Sequence, residues 1–401
     1  MQNRRNLTIL FITLVIMMMG FGIIIPILPD LVVAFGGTGV EMGGLMAIFS
    51  LMQFLFSPMW GSFSDRFGRK PIIMLGVLGN AISMLALGLS TQLWMLFAAR
   101  GLAGILSSAT LPTAMAYISD STDERSRGGG MGVIGAAMGL GMILGPGAGG
   151  LLSAISLQAP FYFAAALSLL AMVAIWFTLP ESLAPEQRET SFRMKGPQLK
   201  AMWEALSGPL AFLFVVALLI SFAMTNFEGI YAYYALDRYG YGPHTIGTIL
   251  TAIGVVSVLA QGLLTGLATR KFGEENVIKV SLIASTGGFL IMLLAKDLTG
   301  VILTASVFVL SNAMLRPAVS SLISRRTKQG QGIAMGLNNA YMSLGRVLGP
   351  LWAGMIIDIN ISFPFLTGAA IMLLAFLASL SLLQKQPDAD ARPYYADVPK
   401  A

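Results

Sequence analysis

The sequence predicts an all-α polytopic membrane protein of twelve transmembrane helices, arranged as two pseudo-symmetric six-helix halves. Composition comes first: 56% of the 401 residues are hydrophobic and 11% are charged, against about 25% charged in a soluble domain. The second observation is a count of apolar runs. Twelve approach the ~20 residues that a bilayer-crossing helix needs, at roughly 7–29, 42–60, 72–90, 93–118, 128–153, 159–179, 209–235, 245–268, 277–295, 300–322, 332–357 and 363–384. The third is an internal repeat. Residues 131–146 and 335–350 share nine of sixteen identities at a spacing of 204, Gly145-Pro146 matching Gly349-Pro350. An even number of spans per copy makes the halves parallel, related by an axis along the membrane normal.

The N-terminus carries Arg4 and Arg5 before a long apolar run without a clear small-x-small cleavage site, so it reads as a retained first span. Residues 1–179 form the first bundle. The charged stretch 180–208 is a cytoplasmic linker on the membrane surface. Residues 209–384 form the second bundle, and 385–401 a polar cytoplasmic tail. With the N-terminus inside, twenty of the 25 lysines and arginines fall on the cytoplasmic side. Arg238 and Lys296 fall outside, and Arg100, Arg316 and Arg346 fall within spans, away from the cytoplasmic ends where Lys279 is counted. That asymmetry places both termini in the cytoplasm. It also accounts for the net charge of +6 without nucleic acid as a partner.

Residues 128–150 are organised around glycine, which supplies eleven of the 23 positions. Each interior Gly costs a helix in water about 1 kcal/mol against Ala. In a bilayer the helix forms regardless, because an unpaired backbone amide costs more. Gly141, Gly145, Gly149 and Gly150 leave one face bare for close approach of a neighbour. Pro146 removes a ladder hydrogen bond and predicts a kink.

Two further patterns carry charge. Gly61-Ser-Phe-Ser-Asp65-Arg66-Phe-Gly68-Arg69-Lys70 reads as a tight loop of about ten residues between the second and third spans, with Gly61 and Gly68 at its turns. Asp65 is placed to meet Arg69 or the next helix N-terminus. The frame returns at 266–275, with Arg270 in the place of Asp65 and Glu274 in the place of Arg69. Within the spans, Glu228 is the one acid away from an end, while Asp30 and Asp358 sit at external ends. Charge in hydrocarbon is costly, so Glu228, Arg100, Arg316 and Arg346 are candidate functional residues. Asn226, Phe227 and Tyr231 flank Glu228, and an acid beside aromatic rings suits a lipophilic cation. A structural salt bridge for Glu228, and a bridge from Arg100 to backbone carbonyls, are the alternatives.

Gly61–Lys70 resembles the signature loop of the major facilitator superfamily, and Leu96-x-x-x-Arg100-Gly-x-x-Gly104 its helix-4 motif. Gly141–Gly150 resembles the helix-5 antiporter motif, and Gly20-x-Gly22-x-x-x-Pro26-x-x-Pro29 the helix-1 motif of twelve-span drug:proton antiporters. Ser221-Phe-x-x-x-x-Phe227-Glu228 and Arg316-Pro317 look like the fluoroquinolone and multidrug efflux branch. The resemblance implies halves that rock about a central site, proton coupling at Glu228 and Arg100, and a charge lock at the signature loop. Asp120 joins that lock as a third member, or is simply a helix-end charge. Two positions depart from the branch. Asn312 stands where it carries an acid, and Arg346 where it carries an uncharged residue. The loss of an acid and the gain of a base favour neutral, zwitterionic or anionic substrates.

The expected function is proton-coupled export of small amphipathic compounds across the cytoplasmic membrane, by a monomer with no cofactor beyond the proton gradient. A dedicated exporter of one polar compound, such as a tetracycline, sugar or siderophore, is the alternative. With no cysteine and one histidine, His244, the chain offers no metal cluster and no nucleophilic triad. It also lacks a phosphate-binding Gly-x-x-x-x-Gly-Lys-Ser/Thr loop. It reads as a transporter and not an enzyme.

Overall fold

The computed structural model describes residues 2–122, 124–189, 196, 199–327 and 331–383. Among them, twelve helices are long and apolar enough to cross a membrane. They are α1 (Arg5–Ile24), α2 (Gly39–Phe67), α3 (Arg69–Gly88), α4 (Leu93–Ser121), α5 (Gly128–Leu152), α6 (Ala159–Thr178), α7 (Ala211–Tyr239), α8 (Pro243–Phe272), α9 (Glu274–Met292), α10 (Leu298–Arg326), α11 (Gln331–Ile357) and α12 (Phe363–Leu382). The fold is the predicted one. The tail at 385–401 and residues 190–195 of the expected linker lie outside the described residues.

Several boundaries differ from expectation for local reasons. α1 stops at Ile24, short of residue 29, because Pro26 has no N–H to continue the ladder. A short helix, Leu28–Ala34, follows with a proline in its first turn. α4 is interrupted at Ser108–Ala109, where Pro112 leaves the Ser108 carbonyl without its helical donor. The expected loop at 61–70 is not a loop. α2 stays helical to Phe67, α3 begins at Arg69, and Gly68 alone makes the turn at φ +102°. Gly61 lies inside α2 with open space beside it and turns nothing. Gly273 repeats the arrangement between α8 and α9 at φ +80°. A β-carbon is rarely tolerated at such φ values.

Glycine sets how the helices meet. A Cβ on Gly145 would come within 2.7 Å of the Met19 carbonyl oxygen and 2.8 Å of Gly22 Cα. Gly141 and Gly149 are equally tight against Val15 and Ile23, so α5 lies backbone-to-backbone on α1. In the second half Gly345 and Gly349 press α11 onto Leu218 and Phe222 of α7 in the same way. The two copies of the Gly-Pro motif therefore perform one packing task, and Arg346 does not loosen the second. Pro146 and Pro350 both sit within unbroken helices.

The opposite faces of α5 and α11 join the halves. Gly150 approaches Gly247 of α8, and Gly247 in turn would place a Cβ 2.5 Å from the Pro146 carbonyl oxygen. Thr251 donates to the Ile143 carbonyl at 3.2 Å. On the other side Gly354 of α11 meets Gly43 of α2, where an added Cβ would stand 2.9 Å from Gly43 Cα. The Asp358 carboxylate then caps the N-terminus of α2, accepting from Gly39 N at 3.0 Å and Val40 N at 3.2 Å. These contacts share one end of the molecule. Toward the other end a Cβ added at Gly132, Gly135, Gly332 or Gly336 would meet no other element within 4 Å among the described residues, and residues 260–272 of α8 pack within their own half. Among the described residues the halves are sealed at the Asp358 end and apart at the Gly68 end.

Gly145→Val and Gly349→Val should lower the thermal midpoint of the solubilised protein by similar amounts. Each forces a side chain into backbone, an overpacking cost of about 1–3 kcal/mol. Thermal unfolding of both variants in one detergent checks this. A clearly smaller effect at 349 would mean that the second seam is looser than the structure shows.

Candidate functional site

Three charged side chains gather midway along the second half. α7, α10 and α11 pack against one another and bring in Glu228, Arg316 and Arg346. Glu228 precedes Gly229, whose bare face receives the ring of Pro350, with an added Cβ only 2.9 Å from Pro350 Cβ. Arg346 lies one helical turn before that proline. The three charges act on one another: Glu228 attracts both guanidinium groups, and these repel each other. None of the three forms a close ion pair with another. Arg346 Nη2 donates to Ser343 Oγ at 2.6 Å. Arg316 makes no hydrogen bond among the described residues and is exposed, whereas Glu228 and Arg346 are half-buried.

The neighbours expected around Glu228 face elsewhere, which corrects the sequence reading. Asn226, Phe227 and Tyr231 are each at most 2% exposed. Asn226 donates to the Pro364 carbonyl at 2.9 Å. Phe227 packs on Tyr231 and Phe308, at centroid distances of 4.6 and 5.1 Å. These side chains hold the second half together. Asn312 is buried as well. The rings that might have formed a cation cage are thus core.

Arg100 is also buried, at 1% exposure. Its Nε donates to the Leu45 carbonyl at 3.2 Å, and its guanidinium lies 4.6 Å from the Phe49 ring centroid. No carboxylate pairs with it among the described residues. It ties α4 to α2 through a carbonyl and a ring face, the bridging alternative open in the sequence.

A second cluster closes the Gly68 end of the first half. Arg69, 7% exposed, donates through Nη1 to Asp65 at 2.5 Å and to Ser64 at 2.7 Å, and through Nε to Asp120 at 2.9 Å. Asp65, Arg69 and Asp120 are therefore one network. Arg66 instead lies over the Phe67 ring, and Lys70 reaches the Trp176 carbonyl. The sequence reading missed Glu181. Its carboxylate accepts from Arg69 N at 2.8 Å and Lys70 N at 3.2 Å, satisfying the first amides of α3. It also accepts from Ser182 N and Leu183 N, which fastens the start of the linker to the lock.

The second half holds the same network with its signs reversed. Asp65, Arg69 and Asp120 correspond, at a spacing of 205, to Arg270, Glu274 and Arg325. Glu274 accepts from Arg325 at 2.8 and 2.9 Å and from Ser321 at 3.1 Å. Arg270 stays exposed and unpaired with Glu274.

Twelve membrane helices in two repeat-related halves, with charge at mid-depth in the second, define the scaffold of a secondary transporter. The family model described as Major Facilitator Superfamily matches residues 10–310 and again 213–397, and the chain belongs to that family. It is 32% identical to Multidrug resistance protein 2 of Bacillus subtilis, covering 97% of this chain and 98% of that protein. It is 29% identical to the quinolone resistance protein NorA of Staphylococcus aureus, covering 95% and 97%. Among solved structures it resembles the human organic anion transporter MFSD10, with 25% identity, a TM-score of 0.70 and coverage of 95% and 99%. It also resembles a bacterial homolog of the human lysosomal transporter Spinster, with 15% identity, a TM-score of 0.76 and coverage of 94% and 96%.

If Arg69 and Asp120 act as one unit, Arg69→Gln and Asp120→Asn should not be additive. Their double-mutant cycle on thermal stability should show a coupling of about 0.5–3 kcal/mol. Additivity within about 0.3 kcal/mol would remove the network from the account.

Proposed function

We propose that this chain exports small amphipathic compounds across a bacterial cytoplasmic membrane by alternating access, in exchange for protons. The observation that carries this is the one-ended closure. The halves meet through two glycine seams at the Asp358 end and part at the Gly68 end, with Glu228, Arg316 and Arg346 at mid-depth. The Lys and Arg distribution supports a cytoplasmic Gly68 end. The site is then open to the cell interior, where an exporter takes up its cargo. The names and the near-complete coverage of the bacterial relatives support drug efflux as the cargo class.

Alternation follows from the seams. Separating the halves at the Asp358 end parts the glycine contacts, the Asp358 cap and the apolar side chains beside them, such as Ile357 at Gly39 and Val258 at Gly139; in hydrocarbon such packing rests on fit, with no hydrophobic force added. The Arg69 network keeps the cytoplasmic ends of α2, α3 and α4 together, so that the first half moves as one body. Glu228 is the acid placed to exchange a proton for cargo. No metal or organic cofactor is needed, and a single chain contains both halves.

In inverted vesicles with an imposed pH gradient, the native protein should accumulate amphipathic dyes from a panel. Glu228→Gln should insert and fold normally but lose uphill transport by at least tenfold. Undiminished proton-driven transport by that variant would remove Glu228 from the coupling step.

A further inference from the structure

The mid-depth cluster contains two guanidinium groups and one carboxylate, and we infer that Arg346 and Arg316 form a subsite for a substrate carboxylate beside Glu228. This rests on the efflux reading above and specifies its cargo: compounds carrying an anionic group are accepted, and purely cationic amphiphiles are refused.

The argument is one of charge and access. With Glu228 ionised the cluster carries one net positive charge, and with Glu228 protonated it carries two. In neither state does it attract a cation overall. No other part of the interior alters that sum. Every other acid in the described spans lies near a helix end, and Asn312 is uncharged and buried. Arg100 is turned into the contact between α4 and α2.

Access points the same way. Arg316 is exposed and has no hydrogen-bond partner among the described residues. Arg346 spends Nη2 on Ser343, which fixes its direction and leaves the remaining donors of the fork unused. An intramembrane cation is costly and ordinarily paired. Two on adjoining helices, sharing one acid, call for an anion from outside the chain. A carboxylate suits them, because guanidinium binds it through two parallel hydrogen bonds. The aromatic side chains that would otherwise favour a cation, Phe227 and Tyr231, are sealed in the core.

The subsite constrains coupling. A carboxylate alone binds together with the Glu228 proton, since neutralising Glu228 frees the guanidinium pair. A substrate that also places an ammonium group on Glu228 displaces that proton, as exchange requires. Cargo driven uphill therefore carries both groups.

Three fluorescent probes with one apolar body test this. Nε-dansyl-lysine has a carboxylate and an ammonium, its methyl ester keeps only the ammonium, and its Nα-acetyl derivative keeps only the carboxylate. Binding to the purified full chain should be at least tenfold tighter for dansyl-lysine and its Nα-acetyl derivative than for the ester. Arg346→Gln should shrink that preference to less than threefold, Arg346→Lys should keep part of it, and Arg316→Gln should act in the same direction. Unchanged elution and thermal midpoint control for folding. In vesicles with a pH gradient, dansyl-lysine alone should be driven uphill. Binding of the ester as tight as that of the acid, or a full tenfold preference in folded Arg346→Gln, overturns the subsite while leaving efflux intact. Transport of none of the probes, nor of any dye in the panel, overturns the efflux reading and the subsite with it.

Discussion

Two helices can cross at backbone distance only where side chains are missing, and the architecture depends on that constraint. α5 and α11 each carry glycine on two faces. One face presses against a helix of the same half, α1 or α7. The other meets a helix of the opposite half, α8 or α2. Rigidity within a half and contact between halves thus come from the same two helices. The within-half contact of α5 runs from Gly141 to Gly149 against α1. The cross-half contact runs from Gly150 at Gly247 to Gly139 at Val258, and has lapsed by Gly135. In hydrocarbon no hydrophobic force adds to such packing, so a seam of this kind holds by fit.

The charges are arranged around that mechanical frame. At the Gly68 end each half has its own network, with signs reversed between Arg69–Asp120 and Glu274–Arg325. The ion pairs Arg69–Asp120 and Glu274–Arg325 each lie within one half. Each stiffens one bundle where the bundles are apart. The Asp358 cap on α2 does cross, and it uses backbone N–H groups that a helix N-terminus leaves unpaired in any case. The mid-depth charges belong to the second half alone. The two halves are alike in helix packing and unlike in where they place charge.

Much of the fold was legible in the sequence. Twelve apolar runs and a 204-residue repeat fix the helix count and the halves, because burial in a bilayer demands long apolar segments. Span ends were less legible. Residues 61–67 and 266–272 are polar yet helical, since a helix does not stop where the hydrocarbon does, and only Gly68 and Gly273 turn the chain. Glu228, Arg316 and Arg346 were visible because a charge inside an apolar run stands out locally. Which way their neighbours point was not visible. α7 is apolar on all sides, so nothing in its pattern tells that Phe227 faces the core while Glu228 does not. Glu181 and Asp358 look like ordinary span-end acids until the fold brings a distant helix N-terminus to each.

The central claim is that one end closes as the other opens about the glycine seams. The natural chain has no cysteine, so pairs of spin labels can be placed at will. One pair, at Val40 and Ile359, reports the joined end, and another, at Phe67 and Phe272, the parted end; all four side chains are exposed. Pulsed electron–electron distance measurements should show a short, narrow distribution for the first pair and a long one for the second. Conditions that lengthen the first should shorten the second in the same sample. Distances that rise and fall together, or a first pair that never separates under active transport, would contradict the account.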